Sequence, residues 1–277
     1  MKEITSRNNP ETLLAASLLT KKGREEAGLF TADGEKLFRE AAKSANARKI
    51  DRIYLSASAK DRYLPLVSET LGRSFVDSDR TVVFSDAAFQ KITSEKSPQG
   101  IITVLKSIDF SEKYIKIDKK DLFSVNGRRI LALAGVRDPG NLGAVVRSAV
   151  AFGFSDVFMT DDCVEVTNPK TVRAAMGGIF SLRFHVVSDF ASFITAARES
   201  GRRVFAAELR EGARPIGSVG LSPFDVIVIG NEGHGVPVDV SSISDASVYI
   251  PISPAAESLN AAVAASLFLW EQSKAGN

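Results

Sequence analysis

The sequence predicts an α/β protein of two domains, the second of them built on a parallel sheet. Three observations carry this. Short β-branched or apolar runs alternate with helical patterns along most of the chain, as expected when helices cover a sheet. The run Ile130–Val136 is apolar almost without interruption, which suits a strand buried on both faces of a parallel sheet. Residues 107–128, from Ser111-Glu112-Lys113-Tyr114 through Lys119-Lys120-Asp121, are polar and mixed in charge, the composition of an interdomain linker. The expected division is therefore 1–106, linker 107–128, and 129–277.

In order, Pro10–Leu19 reads as an amphipathic helix. Leu29-Phe30-Thr31 is strand-like and leads through Gly34 into Glu35–Ser44, where Leu37, Phe38, Ala41 and Ala42 fall at helical spacing. Asp51–Leu55 reads as a strand and Leu64–Leu71 as a helix ended by Gly72. The apolar pair Phe75-Val76 precedes an N-capped helix at Ser85–Thr93 and the β-branched run Ile101–Val104. In the second half, Ile130–Val136 is followed by the helix Leu142–Phe152, terminated by Gly153. Further strands are expected at Asp156–Thr160, Arg183–Val187, Arg203–Leu209, Asp225–Gly230 and Ser247–Ile252. Helices are expected at Pro169–Met176, Phe190–Ser200 and Ser258–Gln272.

Bulk properties exclude several classes. No run approaches the roughly 18 apolar residues of a membrane span, and Met1-Lys2-Glu3-Ile4-Thr5 lacks the apolar stretch of a signal peptide. One cysteine, Cys163, precludes an intrachain disulfide and fits a reducing compartment, so a cytoplasmic location is expected. The net charge of +2 announces no nucleic-acid partner. The excess is nonetheless amino-terminal: residues 1–110 hold 18 Lys/Arg against 15 Asp/Glu, and residues 128–277 hold 13 against 15. Two histidines and one cysteine cannot make an ordinary zinc site, so no metal is expected. Walker-type and Gly-x-Gly-x-x-Gly loops and the Gly-x-Ser-x-Gly elbow are also lacking.

Three segments stand out where an apolar strand runs into a loop. The first is Gly135–Gly143, with Asn141 expected at a helix N-cap and Arg147 toward the buried side of the helix. An arginine among small apolar neighbours there would need a partner. The second is Gly230-Asn231-Glu232-Gly233-His234-Gly235, whose glycines would let the backbone approach a ligand. The third is Ile250-Pro251-Ile252-Ser253-Pro254-Ala255-Ala256-Glu257-Ser258-Leu259-Asn260, with Ser258 or Glu257 capping the helix behind it. Open parallel sheets bind ligands at the carboxyl ends of their strands, where all three loops would lie.

In this order and spacing the three loops resemble the motifs of the SpoU-type RNA 2′-O-ribose methyltransferases of the SPOUT superfamily. Asn168–Gly177 is similar to the family's intervening segment. Asp33-Gly34-Glu35-Lys36 and Ser97–Ile101 resemble parts of the ribosomal-protein-like RNA-binding domain attached to many members. The resemblance implies a trefoil-knotted catalytic domain, a homodimer with its active site near the interface, and S-adenosylmethionine as cofactor. Carried over by position, Gly230, Asn231, Gly233, Ile250, Ile252 and Leu259 would bind that cofactor. Asn141, Arg147, Glu232, Ser258 and Asn260 would form the catalytic neighbourhood. Arg147 is the family's proposed base, yet a free guanidinium has a pKa above about 12, so positioning of the hydroxyl and a phosphate is the better expectation.

Ser253-Pro254 and Ala261-Ala262 depart from the family's more usual Met-small and Val-Ser. Ribosomal RNA is the expected substrate, with Lys21, Lys22, Arg24, Arg48, Lys49 and Arg52 as candidate phosphate contacts. A transfer-RNA 2′-O-methyltransferase and a non-catalytic RNA-binding ribosome-assembly protein are the alternatives.

Overall fold

In the computed structural model, which describes residues 1–43, 45–107, 127–231 and 233–275, five strands form one sheet and seven another. The segment expected as a linker falls almost wholly outside the described residues. Along the chain run β1 (Lys2–Ile4), α1 (Pro10–Ser17), α2 (Lys21–Ala27), β2 (Leu29–Asp33), α3 (Glu35–Lys43), β3 (Ile50–Ser56), α4 (Lys60–Leu71), α5 (Arg73–Asp77), β4 (Thr81–Phe84), α6 (Asp86–Ile92) and β5 (Ile101–Lys106). There follow β6 (Ile130–Leu133), α7 (Pro139–Ala151), β7 (Asp156–Thr160), α8 (Pro169–Ala174), β8 (Arg183–Val187), α9 (Phe190–Glu199), β9 (Val204–Ala207), β10 (Arg214–Pro215), β11 (Val226–Ile229), α10 (Val238–Ile243), β12 (Ala246–Tyr249) and α11 (Ala261–Lys274). Among the described residues no helix is long and apolar enough to cross a membrane.

One compact unit comprises residues 1–108 together with 165–180. Its sheet has the order β1-β4-β3-β5-β2, with β5 antiparallel to both its neighbours and the other pairs parallel. The pair Phe75-Val76 lies in a short helix, and the strand there is Thr81–Phe84, buried throughout between β1 and β3. Its run Val82-Val83-Phe84 has the β-branched and aromatic character of a pleated, buried surface. Tyr54 and Phe84 meet edge to face at 5.1 Å in this core.

Two candidate phosphate contacts are spoken for inside this unit. Arg24 is buried and ion-paired with Glu165. Arg52 pairs with Glu11 at 2.5 Å and Asp51 at 2.7 Å. A guanidinium taken from water is stable only with such partners, and these leave little of either for RNA. Arg173 of α8 is likewise ion-paired with Glu95.

The other unit holds residues 109–164 and 181–277. Its strands run all parallel in the order β10-β12-β9-β11-β6-β7-β8. The chain builds β6, β7 and β8 outward in one direction, then starts again at β9 and inserts β11 beside β6. The carboxyl ends of β6, β11, β9 and β12 therefore lie side by side at a topological switch point. On one face of the sheet Ile130, Ala132, Phe158, Val204 and Val228 pack with Phe190, Phe193 and Ile194 of α9 and Val240 of α10.

At the opposite, amino-terminal edge the wholly buried Asp156 meets His185 Nε2 at 3.0 Å and Arg128 at 3.4 Å. Burial opposes its ionisation, but hydrogen bonds from His185 and Ser155 and the charge of Arg128 outweigh it. The carboxyl is held below the usual range.

Candidate active site

The loop after β6 is fixed before it reaches α7. Gly135, at φ +71°, donates its amide to Thr160 Oγ1 at 2.9 Å. Thr160 in turn donates to Asp162 at 2.6 Å, and Arg137 pairs with Asp162 at 2.8 Å. The Thr160 hydrogen bond leads, burial opposes it, and Arg137 adds to it, so the Asp162 carboxyl sits below its ordinary value.

The N-cap of α7 is Asp138, not Asn141: its carboxylate accepts from the Asn141 amide at 2.7 Å, and Pro139 occupies the first helical position. A proline there has no amide to leave unpaired and a pre-set φ. Asn141 consequently lies inside the first turn, and its side-chain oxygen accepts from Asn260 Nδ2 at 3.0 Å.

The buried stripe of α7 is Leu142, Val145, Val146 and Ala149, at helical spacing. Arg147 falls outside it and is exposed, contrary to its expected place on the buried side. It makes no ion pair or hydrogen bond among the described residues; water solvates it, so no protein partner is demanded.

After β11, Asn231 and Gly235 exchange backbone hydrogen bonds of 3.0 and 2.8 Å, closing a tight turn. The glycine requirement at Gly230 comes from this closure. A Cβ there would lie 2.1 Å from the carbonyl carbon of Gly235. A Cβ on Gly233 would meet nothing nearer than Asn231 Oδ1 at 3.5 Å. Asn231 then ties the turn to the first loop, donating from Nδ2 to the Gly135 carbonyl at 2.7 Å while Oδ1 accepts from the Gly233 amide at 2.9 Å. Glu232 lies outside the described residues.

In the third loop, neither Ser258 nor Glu257 is the cap. Asn260 takes that place, its Oδ1 accepting from the amides of Ala262 (3.0 Å) and Val263 (3.3 Å). A side-chain acceptor immediately before the first helical residue reaches these amides, and residues two or three positions earlier do not. Between Pro251 and Leu259 a single backbone–backbone bond is formed among the described residues, from Ala256 N to Ser253 O at 3.0 Å. Most amides and carbonyls of this loop therefore remain for water or a ligand.

The second and third loops line a cavity of about 430 Å³ at the carboxyl ends of β9, β11 and β12. Of the expected site residues, Gly230, Asn231, Ile250, Ile252, Ser258 and Leu259 line it. Gly233, Asn141, Arg147 and Asn260 do not, although the Asn141–Asn260 hydrogen bond joins the start of α7 to the start of α11. Ser148, next to Arg147, meets Ser266 of α11 at 2.8 Å. A further wall of the cavity, Ala207-Glu208-Leu209 at the end of β9, was missed by sequence reasoning. The strand-end rule that marked the other loops applies to this one too.

A family model described as the SpoU rRNA methylase family matches residues 128–270, and one described as an MRM3-like substrate-binding domain matches residues 9–103. The 23S rRNA (guanosine(2553)-2′-O)-methyltransferase RlmP of Bacillus subtilis is 30% identical, over 98% of both chains. The 23S rRNA (guanosine-2′-O-)-methyltransferase RlmB of Acinetobacter baylyi is 31% identical over 67% of this chain and 84% of its own. Among solved structures, the AdoMet-bound rRNA methyltransferase from Sinorhizobium meliloti superposes with a TM-score of 0.82 at 28% identity, over 99% of this chain and 97% of that one. With two of the motif loops lining one cavity at the switch point of a parallel sheet and the first hydrogen-bonded to both, the chain belongs to the SpoU rRNA methylase family.

Proposed function

We propose that this chain transfers a methyl group from S-adenosylmethionine to a ribose 2′-hydroxyl of ribosomal RNA. One observation carries the reading: two of the three motif loops line one cavity beside the turn of β11, and the first is tied to both through Asn231–Gly135 and Asn260–Asn141. A relative spanning 98% of the chain is named for this reaction on 23S rRNA, and the amino-terminal match to a substrate-binding domain accords with a structured RNA substrate.

The cavity suits the cofactor. Its volume lies within the roughly 300–1,000 Å³ typical of cofactor sites. Its walls combine apolar side chains, Ile229, Val248, Leu259 and Phe268, with the unpaired backbone groups of the third loop. Gly230, Asn231, Ile250, Ile252 and Leu259 would hold the cofactor there, and Gly233 would stiffen the turn behind it. When bound, S-adenosylmethionine supplies a sulfonium methyl group open to nucleophilic attack.

The chain's own contribution is alignment. Asn141 and Asn260, locked together, fix the rim toward which the ribose comes. Ser258 contributes a hydroxyl on the cavity wall, and Glu232 belongs to the same neighbourhood by position. Arg147, a donor with no acceptor lone pair, binds the phosphate next to the target ribose and orients its hydroxyl. The proton released as the oxygen attacks passes to another acceptor.

The same reading includes a homodimer. On α11 the apolar Val263, Leu267 and Trp270 recur at i, i+4 and i+7 and are 48%, 38% and 47% exposed. An exposed apolar stripe of this kind suits a self-complementary contact, and it lies on the helix packed against α7, which carries Arg147. The knotted path of the segment through 250–260 and a cytoplasmic setting complete the reading.

The test is incubation of the purified protein with methyl-labelled S-adenosylmethionine and separate rRNA and tRNA pools from a strain lacking the gene. Label in rRNA as an alkali-resistant 2′-O-methylated dinucleotide, lost in Arg147→Ala while S-adenosylhomocysteine still binds, is the expected result. Label in tRNA alone would overturn the substrate assignment. Cofactor binding with no transfer to either pool would favour a non-catalytic RNA binder.

A further inference from the structure

Several cations of the amino-terminal unit stand beside an acid: Arg24 with Glu165, Arg52 with Glu11, Lys22 with Glu26 at 3.7 Å, and Arg73 with Asp77 at 3.3 Å. At the loop between β1 and α1 two are held in another way. Arg7 donates from Nε to the Ala87 carbonyl of α6 at 2.9 Å, and Lys91 of α6 donates from Nζ to the Arg7 carbonyl at 3.0 Å. Both residues are exposed, and among the described residues neither has a carboxylate partner. The acids of β1, α1 and α6 are all engaged elsewhere. Glu3 faces Lys60 at 3.5 Å, and Glu11 accepts from Arg52 and from the Tyr54 hydroxyl at 2.7 Å. Asp86 accepts from the Ser58 amide at 3.1 Å and from its hydroxyl at 2.7 Å. The loop itself is braced: the Thr12 hydroxyl donates to the Ser6 carbonyl at 2.9 Å, and the Ser85 hydroxyl to the Thr5 carbonyl at 3.2 Å.

We propose that Arg7 and Lys91 form a phosphate grip, taking up backbone phosphates of the RNA substrate at this loop. The inference rests on the reading of the chain as an RNA methyltransferase. Two like charges fixed on one short segment repel each other, and an anion joining them removes that cost. The carbonyls orient the pair without neutralising it. Among the described residues the two Nη groups of Arg7 meet no protein acceptor, and Lys91 keeps two further N–H donors. That is a donor set for phosphate oxygens, and charge-assisted bonds to them are the strong kind. Because the backbone is already braced, little order has to be imposed on the loop when RNA arrives. Contacts of this kind fix where the RNA lies and carry no sequence information.

Filter binding of the full chain to 23S rRNA from a strain lacking the gene, over a series of salt concentrations, tests this. Each phosphate neutralised contributes about 0.7–0.9 to the slope of log K against log salt. Arg7→Ala with Lys91→Ala should therefore make the slope shallower by about 1.4–1.8 and weaken binding about 25- to 60-fold at about 0.1 M salt. Lys22→Ala with Arg73→Ala removes the same charge where acids already stand, and should leave the slope as it is. Arg7→Lys with Lys91→Arg keeps both charges and should keep the slope. All three should bind S-adenosylhomocysteine as the wild type does, which shows them folded. A wild-type slope in Arg7→Ala with Lys91→Ala would overturn the inference alone. So would an equal loss in Lys22→Ala with Arg73→Ala, which would mark a general effect of net charge. Loss of slope in the charge-conserving variant would assign the pair a purely structural role and also overturn it. Failure of the wild type to bind either the rRNA or the tRNA pool would sink the RNA reading, and this inference with it.

Discussion

Replacing Asn260 separates the two tasks of one side chain. Oδ1 caps α11 through the amides of Ala262 and Val263, and Nδ2 donates to Asn141 Oδ1. Asn260→Ala removes both. Loss of a cap costs about 1 kcal/mol, and loss of an exposed hydrogen bond about 0.5–1 kcal/mol. The sum is about 2 kcal/mol, which for a unit of this size corresponds to a fall of roughly 4–8 °C in Tm. Asn260→Asp retains the capping oxygen and adds negative charge at a helix amino terminus, worth about 0.3–1 kcal/mol, but it has no donor for Asn141. Its Tm should lie near the wild type's while label transfer to RNA falls at least about tenfold. Thermal unfolding followed by circular dichroism, beside the methyl-transfer assay, reads both quantities. Equal Tm losses in the two variants would refute the capping argument. Full transfer by Asn260→Asp would refute a role for the Asn141–Asn260 link in the reaction.

The two glycines of the second motif should differ sharply. Gly230→Ala drives a Cβ into the Gly235 backbone and should cost about 3 kcal/mol or more along with S-adenosylhomocysteine affinity, whereas Gly233→Ala should change Tm by less than about 2 °C, both read by thermal unfolding and calorimetry. Leu267→Glu with Trp270→Glu should convert a dimer into a monomer in sedimentation equilibrium at unchanged Tm of the monomer, since both side chains are exposed; a persistent dimer would place the interface elsewhere. Asp156 has a folded-state pKa below its unfolded value of about 3.9, so the stability it contributes is complete above that value and is lost as pH falls through the folded pKa. Asp156→Asn should therefore lower the urea midpoint at pH 6 and flatten its decline toward pH 3; an unchanged acid limb would exclude the His185–Asp156 pair as its cause.

What could be read from the sequence was whatever is local. The strands of the second unit announce themselves because both faces are buried, and Ile130–Leu133 and Val226–Ile229 are apolar without a break. The turn at Gly230 was visible for its glycines, though what demands Gly230 is the Gly235 backbone rather than a ligand. Arg147 was misplaced because its side of α7 also carries the half-buried Ala144 and the exposed Ala151, so no polar stripe marks it. The cap of α7 was misassigned because Asp138 and Asn141 are both good caps, and Pro139 decides between them. Glu165 was invisible for another reason. Its role comes from its pairing with Arg24, which lies far away in sequence.

The chemistry of the amide explains why asparagines recur at this site. Asn260 uses its oxygen toward two amides and its nitrogen toward Asn141; Asn231 uses its oxygen toward Gly233 and its nitrogen toward the Gly135 carbonyl. A carboxylate of the same size could not donate, and a hydroxyl donates and accepts at one atom rather than at two held apart. Both residues spend their polar atoms on joining loops, which leaves neither with the capacity to take a proton. Arg147 is exposed and can only donate. Asn231, Asn260 and Arg147 thus furnish position and charge rather than a base, and that is the contribution methyl transfer needs most: a sulfonium carbon already reactive, and a hydroxyl held in line with it.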